Sequence, residues 1–171
     1  MGDAEHRRKS PESLGVAVIT VSDSRAAAVR EGKDEDISGR IIEERLREAG
    51  HSPIRAIIPD EEDQIKRAIE KFTSDKNTEV IITTGGTGVT SRDRTVDVVR
   101  SFFDKEFPGF GEILRRKGYE MVGLRALFTR ATAGIKDRKL IFCLPGTPNS
   151  VKVAMDIILP DLTHLVRQAR E

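Results

Sequence analysis

Apolar residues along this chain follow two patterns that alternate. Short unbroken runs at residues 14–21 (LGVAVITV), 80–82 (VII) and 140–144 (LIFCL) mark strands covered on both faces, and residues 55–58 before Pro59 form a shorter run. Between them, apolar positions recur at helical spacing. Ile37, Ile41, Ile42, Leu46 and Ala49 make one such stripe, closed by Gly50. Ile65, Ala68, Ile69 and Phe72 make a second, Val96, Val99 and Phe103 a third, and Val151, Ala154, Met155 and Ile158 a fourth. Asp36 or Ser38 is placed to cap the first helix, and Thr147 before Pro148 suits the start of the last. Pro108 and Gly109 break the chain before a short helix expected over residues 111–117, and Pro160 bends or restarts the final helix before Leu162, Leu165 and Val166. Residues 26–36 are charged and without period, so they read as a loop. Residues 125–132 suit a helix and 133–135 a short strand.

Strands alternating with helices predict an α/β fold, a three-layer αβα sandwich with a mostly parallel central sheet. Residues 14–171 are expected to form one domain behind a polar tail at residues 1–13. Ligands of such sheets bind outside the carboxyl ends of the strands. Those ends carry Ser22 and Asp23, then Asp60, then residues 85–93, then Pro145 to Thr147.

The third of these segments holds the densest chemistry. In TTGGTGVTSRDR, Gly85, Gly86 and Gly88 precede Asp93, which stands between Arg92 and Arg94, and a helix follows. A glycine turn between strand and helix offers backbone N–H groups to phosphate, and is also a common structural turn. It lacks the Gly-Lys-Ser/Thr of a P-loop, and the third glycine of a dinucleotide fingerprint is replaced by Ser91. Asp60 fits two roles, the N-cap of its helix or a ligand-facing acid. Asp93 is better placed for a role in the loop than for an exposed ion pair, worth at most about 1 kcal/mol. Cys143 lies in an apolar run, where inert burial is expected. No Ser-His-Asp or Cys-His constellation stands out, so the chemistry sought is one without a protein nucleophile, such as phosphate-group transfer.

Composition narrows the field. Lys and Arg number 29 against 28 Asp and Glu, a net charge of +1, which gives no global field for nucleic acid or an anionic membrane. Charged residues reach 33%, a bias found in heat-adapted proteins. One cysteine and three scattered histidines leave no disulfide framework and no zinc spacing, and a reducing cytoplasm is the expected location. The start, MGDAEHRRKSPES, has no apolar core for a signal peptide, and His6 breaks the myristoylation pattern. No stretch approaches the length of a membrane span.

TTGGTG followed by Arg92-Asp93, IPDE at 58–61, PGFGE at 108–112 and LPGTP at 144–148 together resemble the molybdenum-cofactor biosynthesis proteins of the MogA/MoaB type. The likeness runs from Leu14 to Val166, and Asp36-x-Ser38-Gly39 with ILPDLTHLV is closer to MoaB. The resemblance implies joining AMP from Mg-ATP to the terminal phosphate of molybdopterin, with release of pyrophosphate. It implies Asp60 and Asp93 as the essential acids and Mg²⁺ ligands, and Thr84, Gly85, Gly86, Thr87 and Gly88 as the phosphate loop. Ser22, Thr132, Pro145 and Gly146 fall on positions lining the pterin or nucleotide pocket. It also implies a homo-oligomer, a hexamer as in MoaB or a trimer as in MogA, and a MoeA-type insertase as partner. Two other activities share the resemblance: a non-catalytic molybdopterin-binding module of MoaB type, and the CinA-type nucleotide hydrolases. The CinA loop reads GGLGPT before paired acids, where this chain has Thr87 and a single Asp93.

Overall fold

The structure, a computed structural model, describes residues 13–171, so all of the expected polar tail except Ser13 lies outside the described residues. Among these residues six strands form one sheet: β1 (Gly15–Val21), β2 (Ser52–Ile58), β3 (Val80–Thr84), β4 (Lys105–Glu106), β5 (Thr132–Lys136) and β6 (Lys139–Leu144), in the order β2-β1-β3-β6-β5-β4. The first four in that order are parallel, and β5 and β4 close the edge antiparallel. Among the described residues seven α-helices cover the faces: α1 (Asp23–Arg30), α2 (Ile37–Glu48), α3 (Glu62–Ser74), α4 (Thr95–Phe102), α5 (Pro108–Val122), α6 (Pro148–Ile158) and α7 (Leu162–Arg170).

The apolar runs are continuous because the sheet has a core on each side. Val16 and Val18 of β1 join Val80, Ile82, Leu140 and Phe142 under α2, α6 and α7. Ala17, Ile19 and Val21 join Ile81, Ile141 and Cys143 under α3 and α4, where Ile65, Ile69, Val96 and Val99 point inward. This is the expected three-layer architecture. Cys143 is fully buried, and desolvation pushes its thiol up to about 12, which leaves it inert at neutral pH.

Several boundaries differ from expectation, each for a local reason. Residues 26–30, read as loop, belong to α1, which is capped by Ser22 and buries only Ala26 and Ala28. Its one large apolar side chain, Val29, is exposed, so it leaves no stripe to detect. Strand β2 starts at Ser52 and carries Pro53, which an edge strand tolerates. Phe103 falls just past the end of α4. Pro108 does not break the chain but starts α5 at a position where its missing N–H costs nothing, and the helix runs on to Val122. Residues 123–128 form a 3₁₀-helix in place of a longer helix through Thr132. The two-residue β4 is too short to show a pattern. No helix among the described residues is long and apolar enough to cross a membrane.

Candidate active site at the carboxyl edge of the sheet

Strand registers place Val21 opposite Ile58, Thr20 opposite Thr84, and Thr84 opposite Leu144. The residues that follow, Ser22, Pro59 with Asp60, Gly85 and Pro145, therefore emerge along one line. Hydrogen bonds then join the segments. Gly85 N–H donates to the Leu144 carbonyl (3.1 Å). The Thr84 hydroxyl donates to the Pro145 carbonyl (2.8 Å), and Ser38 Oγ to the Gly146 carbonyl (2.8 Å). Asp36, the observed cap of α2, accepts from Gly39 N–H (2.9 Å) and from Thr20 Oγ1 (2.6 Å), and so holds the start of α2 against β1.

The glycine loop turns back on itself at Gly86, whose φ is +65°. A β-carbon there would lie 2.1 Å from Thr95 Oγ1 and 3.6 Å from Asp60 Oδ1. Thr95 N–H donates to the Gly86 carbonyl (3.2 Å), which joins the loop to the first residue of α4.

The two predicted acids sit in different surroundings. Asp60 is not a helix cap: α3 begins at Glu62 behind Glu61, and no side chain bonds its first turn. Its backbone N–H donates to Asp23 Oδ1 (2.9 Å), and its own Oδ1 is buried with no hydrogen-bond partner. Burial, with the charges of Asp23 and Asp93 adding to it and Arg92 opposing, holds the Asp60 carboxyl above its ordinary value. Asp93 instead accepts from both the backbone N–H (2.8 Å) and the hydroxyl (2.6 Å) of Thr90 through Oδ2. Burial acts to raise its pKa, but these bonds, the Gly88 N–H and the Arg130 charge outweigh it and hold Asp93 below the usual carboxylate range.

Arg130, which no motif marked, fastens the loop from outside. Its N–H donates to the Thr87 carbonyl (3.0 Å), its Nε to the Gly88 carbonyl (2.9 Å) and its Nη2 to the Asp93 carbonyl (2.6 Å). Nη1 pairs with Asp97 at 2.9 Å. The outward signal was absent because Arg130 precedes β5, far along the chain from the glycines. Arg92 pairs with Asp23 and links the loop to the end of β1.

The remaining predicted residues divide. Gly146 lies against Gly85, the Pro145 carbonyl accepts from the Thr84 hydroxyl, and Ser22 Oγ accepts from Arg25 N–H at the start of α1. Thr87 is buried, its hydroxyl 3.5 Å from that of Thr129. Thr84 and Thr132 stand behind the site rather than in it. Both are 1% exposed, with their hydroxyls taken by the Pro145 carbonyl and by Glu106 (2.7 Å).

Beside Pro145 and Thr147 a cavity of about 340 Å³ opens between α5, the 3₁₀-helix and the start of α6. Leu114, Gly118, Met121, Val122, Ala126 and Val153 make an apolar wall, with Arg125, Thr129, Asn149 and Ser150 supplying polar groups. A flat ring with polar edges suits such a lining. A larger depression of about 550 Å³ near Asp104, Asp137 and Arg138 lies by the turn between β5 and β6, at the amino end of β6 and away from this edge.

Among the described residues no cluster of three or more His, Cys, Asp or Glu could cage a metal ion. The donor set is instead a few oxygens, led by Asp60 Oδ1. That suits Mg²⁺, which keeps several waters and is held by one or two carboxylates together with substrate phosphates.

Comparison with known proteins places these features in a context. The family described as "Probable molybdopterin binding domain" matches residues 17–164. The chain is 42% identical to a molybdopterin adenylyltransferase of Pyrococcus furiosus, with all of both chains covered. It is 38% identical to molybdenum cofactor biosynthesis protein B of Bacillus subtilis, over all of this chain and 99% of that one. Among solved structures, the tungsten cofactor synthesizing protein MoaB from Pyrococcus furiosus superposes with a TM-score of 0.82 at 39% identity, covering 95% of this chain and all of the other.

Proposed function

The chain belongs to the molybdopterin-binding domain family, and on that premise we propose that it acts in molybdenum cofactor biosynthesis as a molybdopterin adenylyltransferase. The reaction joins AMP from ATP to the terminal phosphate of molybdopterin and releases pyrophosphate. The observation that carries this reading is the Asp60 carboxylate, held beside a glycine loop with a buried oxygen that no protein group satisfies. A buried polar atom left unpaired costs about 1 to 3 kcal/mol, so its retention here points to a ligand.

Each part of the site has work that fits the transfer. The substrate's own phosphate oxygen is the nucleophile, so the protein needs none. Backbone N–H groups of the loop at Gly86 and Thr87 are the donors offered to phosphate, and the start of α4 adds a contribution of about 0.3 to 1 kcal/mol per nearby charge. That is too small to bring two polyanions together. Asp60 would hold the Mg²⁺ that arrives with ATP, which would supply the remaining charge neutralisation. Asp93 serves the loop, where its Oδ2 accepts twice from Thr90 and the Gly88 N–H adds to the carboxylate. Arg130 fixes the loop by holding the Gly88 and Asp93 carbonyls. The apolar cavity beside Pro145 takes the pterin ring system.

The protein works as a homo-oligomer, with the MoaB-type hexamer as the form proposed. Ile113, Tyr119, Met121, Val122, Leu124, Leu127 and Phe128 are all exposed on the α5 and 3₁₀ segment, an apolar surface that self-association would cover. A MoeA-type insertase then receives the adenylylated product. Incubation with molybdopterin and Mg-ATP is expected to yield adenylyl-molybdopterin and pyrophosphate in equal amounts. Absence of both would overturn the assignment, and a light-scattering mass of one chain would overturn the oligomer.

A further inference from the structure

The Asp36-x-Ser38-Gly39 segment lies in none of the strand-end loops, yet Asp36, Ser38 and Gly39 are all buried at the start of α2. Together they seat the helix start on β1. Asp36 takes the Gly39 N–H and the Thr20 hydroxyl, and Arg55 Nη1 approaches the same carboxylate at 3.1 Å. Gly39 leaves room for this, since a β-carbon there would lie 2.0 Å from Asp36 Oδ2 and 2.7 Å from Thr20 Oγ1. What the seating accomplishes shows at Ser38. A serine near a helix start commonly turns to its own backbone or to water. Ser38, 1% exposed, instead gives its hydroxyl to the Gly146 carbonyl at 2.8 Å.

Three successive carbonyls at the end of β6 are therefore held from other elements. Gly85 N–H takes that of Leu144 (3.1 Å) and the Thr84 hydroxyl that of Pro145 (2.8 Å), both from the end of β3, while Ser38 of α2 takes that of Gly146. Beyond Gly146 the chain becomes one wall of the apolar cavity, through Thr147, Asn149, Ser150 and Val153. We propose that Ser38 is a positioning residue for the ring-bearing substrate, fixing the Gly146 peptide and with it the α6 wall of the cavity against the glycine loop. This role rests on the cavity being the pterin site, as read above, and sets the distance between that site and the loop. Ser38 acts through Gly146 rather than on the ligand itself. Its loss releases the cavity side, because Thr84 and Gly85 keep their hold on Pro145 and Leu144. Nucleotide binding is therefore kept while ring binding weakens. A displacement of about 1 Å in a supporting group suffices for such an effect.

Equilibrium ultrafiltration of the full-length protein with molybdopterin, and separately with α,β-methylene-ATP and Mg²⁺, tests this. Ser38→Ala is expected to weaken molybdopterin binding about fivefold or more, the order of one hydrogen bond, and to leave binding of the analogue within about twofold. In turnover the same variant raises KM for molybdopterin by that factor with kcat within about twofold. Ile42→Val is the control, removing one methyl group from a fully buried side chain of the same helix for a comparable loss of stability. Its molybdopterin affinity is expected to be unchanged. Unchanged molybdopterin affinity in Ser38→Ala would overturn the proposal. So would an equal loss in Ile42→Val, or an equal loss of the analogue, since either assigns the effect to general loosening of the fold. No molybdopterin binding by the unaltered protein overturns the cavity reading and the positioning role together. Binding that depends on Ser38, without adenylyl-molybdopterin formation by the unaltered protein, upholds the positioning role and refutes the adenylyltransferase reading alone.

Discussion

Two aspartates at the same sheet edge have opposite surroundings. The loop around Asp93 is well bonded: Oδ2 accepts twice from Thr90, the Gly88 N–H adds to the carboxylate, and Arg130 bonds its carbonyl. The end of β2 at Asp60 is starved, with a buried oxygen lacking any partner and neighbouring acids that disfavour its charge. A satisfied acid stabilises the segment it sits in. An unsatisfied one is retained at a cost to stability, and the return must come from a ligand. Two residues with the same side chain at one sheet edge thus do different work.

The comparison breaks most readily at Asp60. Asp60→Asn is expected to reduce adenylylation by about a thousandfold or more, as removal of a principal charge-stabilising group does. Its melting temperature should hold or rise, because the substitution removes a charge that the fold disfavours. A clear fall in melting temperature would contradict the contrast. Asp93→Asn should lose about a hundredfold in activity and also about 1 kcal/mol of stability, a fall of about 3 °C in melting temperature. Arg130→Met is expected to cost about tenfold, seen as weaker ATP binding with unchanged molybdopterin binding, since it releases the Gly88 and Asp93 carbonyls while the backbone N–H to the Thr87 carbonyl is kept.

The smallest effect separates site from scaffold. Burial lowers the pKa of His51, whose Nδ1 accepts from Leu14 N–H at 3.3 Å, far from both acids. The unfolded chain binds this proton more readily than the folded one. The stability that His51 contributes is therefore present above its unfolded value of about 6.5 and lost as pH falls through the lower folded value. His51→Gln should flatten the fall of melting temperature between about pH 7 and pH 5. A profile as steep as that of the unaltered protein would assign the acid sensitivity elsewhere.

Much of this architecture was legible from the chain alone. Strands buried on both faces announce themselves as unbroken apolar runs, and their ends named Ser22, Asp60, the glycine loop and Pro145 as neighbours. What escaped depended on contacts distant in sequence. Asp60 was compatible with a helix cap until α3 was seen to begin at Glu62. Arg130 reaches the glycine loop only because the sheet brings the start of β5 beside it. Helix α1 carries alanines rather than a stripe, and the cavity beside Pro145 exists because α5 continues to Val122.

Amide hydrogen exchange in the ligand-free protein tests the division between the two aspartates most directly. The account predicts that Asp93→Asn speeds exchange at Thr90 about tenfold, the loss of one charge-assisted hydrogen bond, while Asp60→Asn leaves the loop exchanging as in the unaltered protein. Equal acceleration in both variants, or acceleration in Asp60→Asn alone, would contradict it.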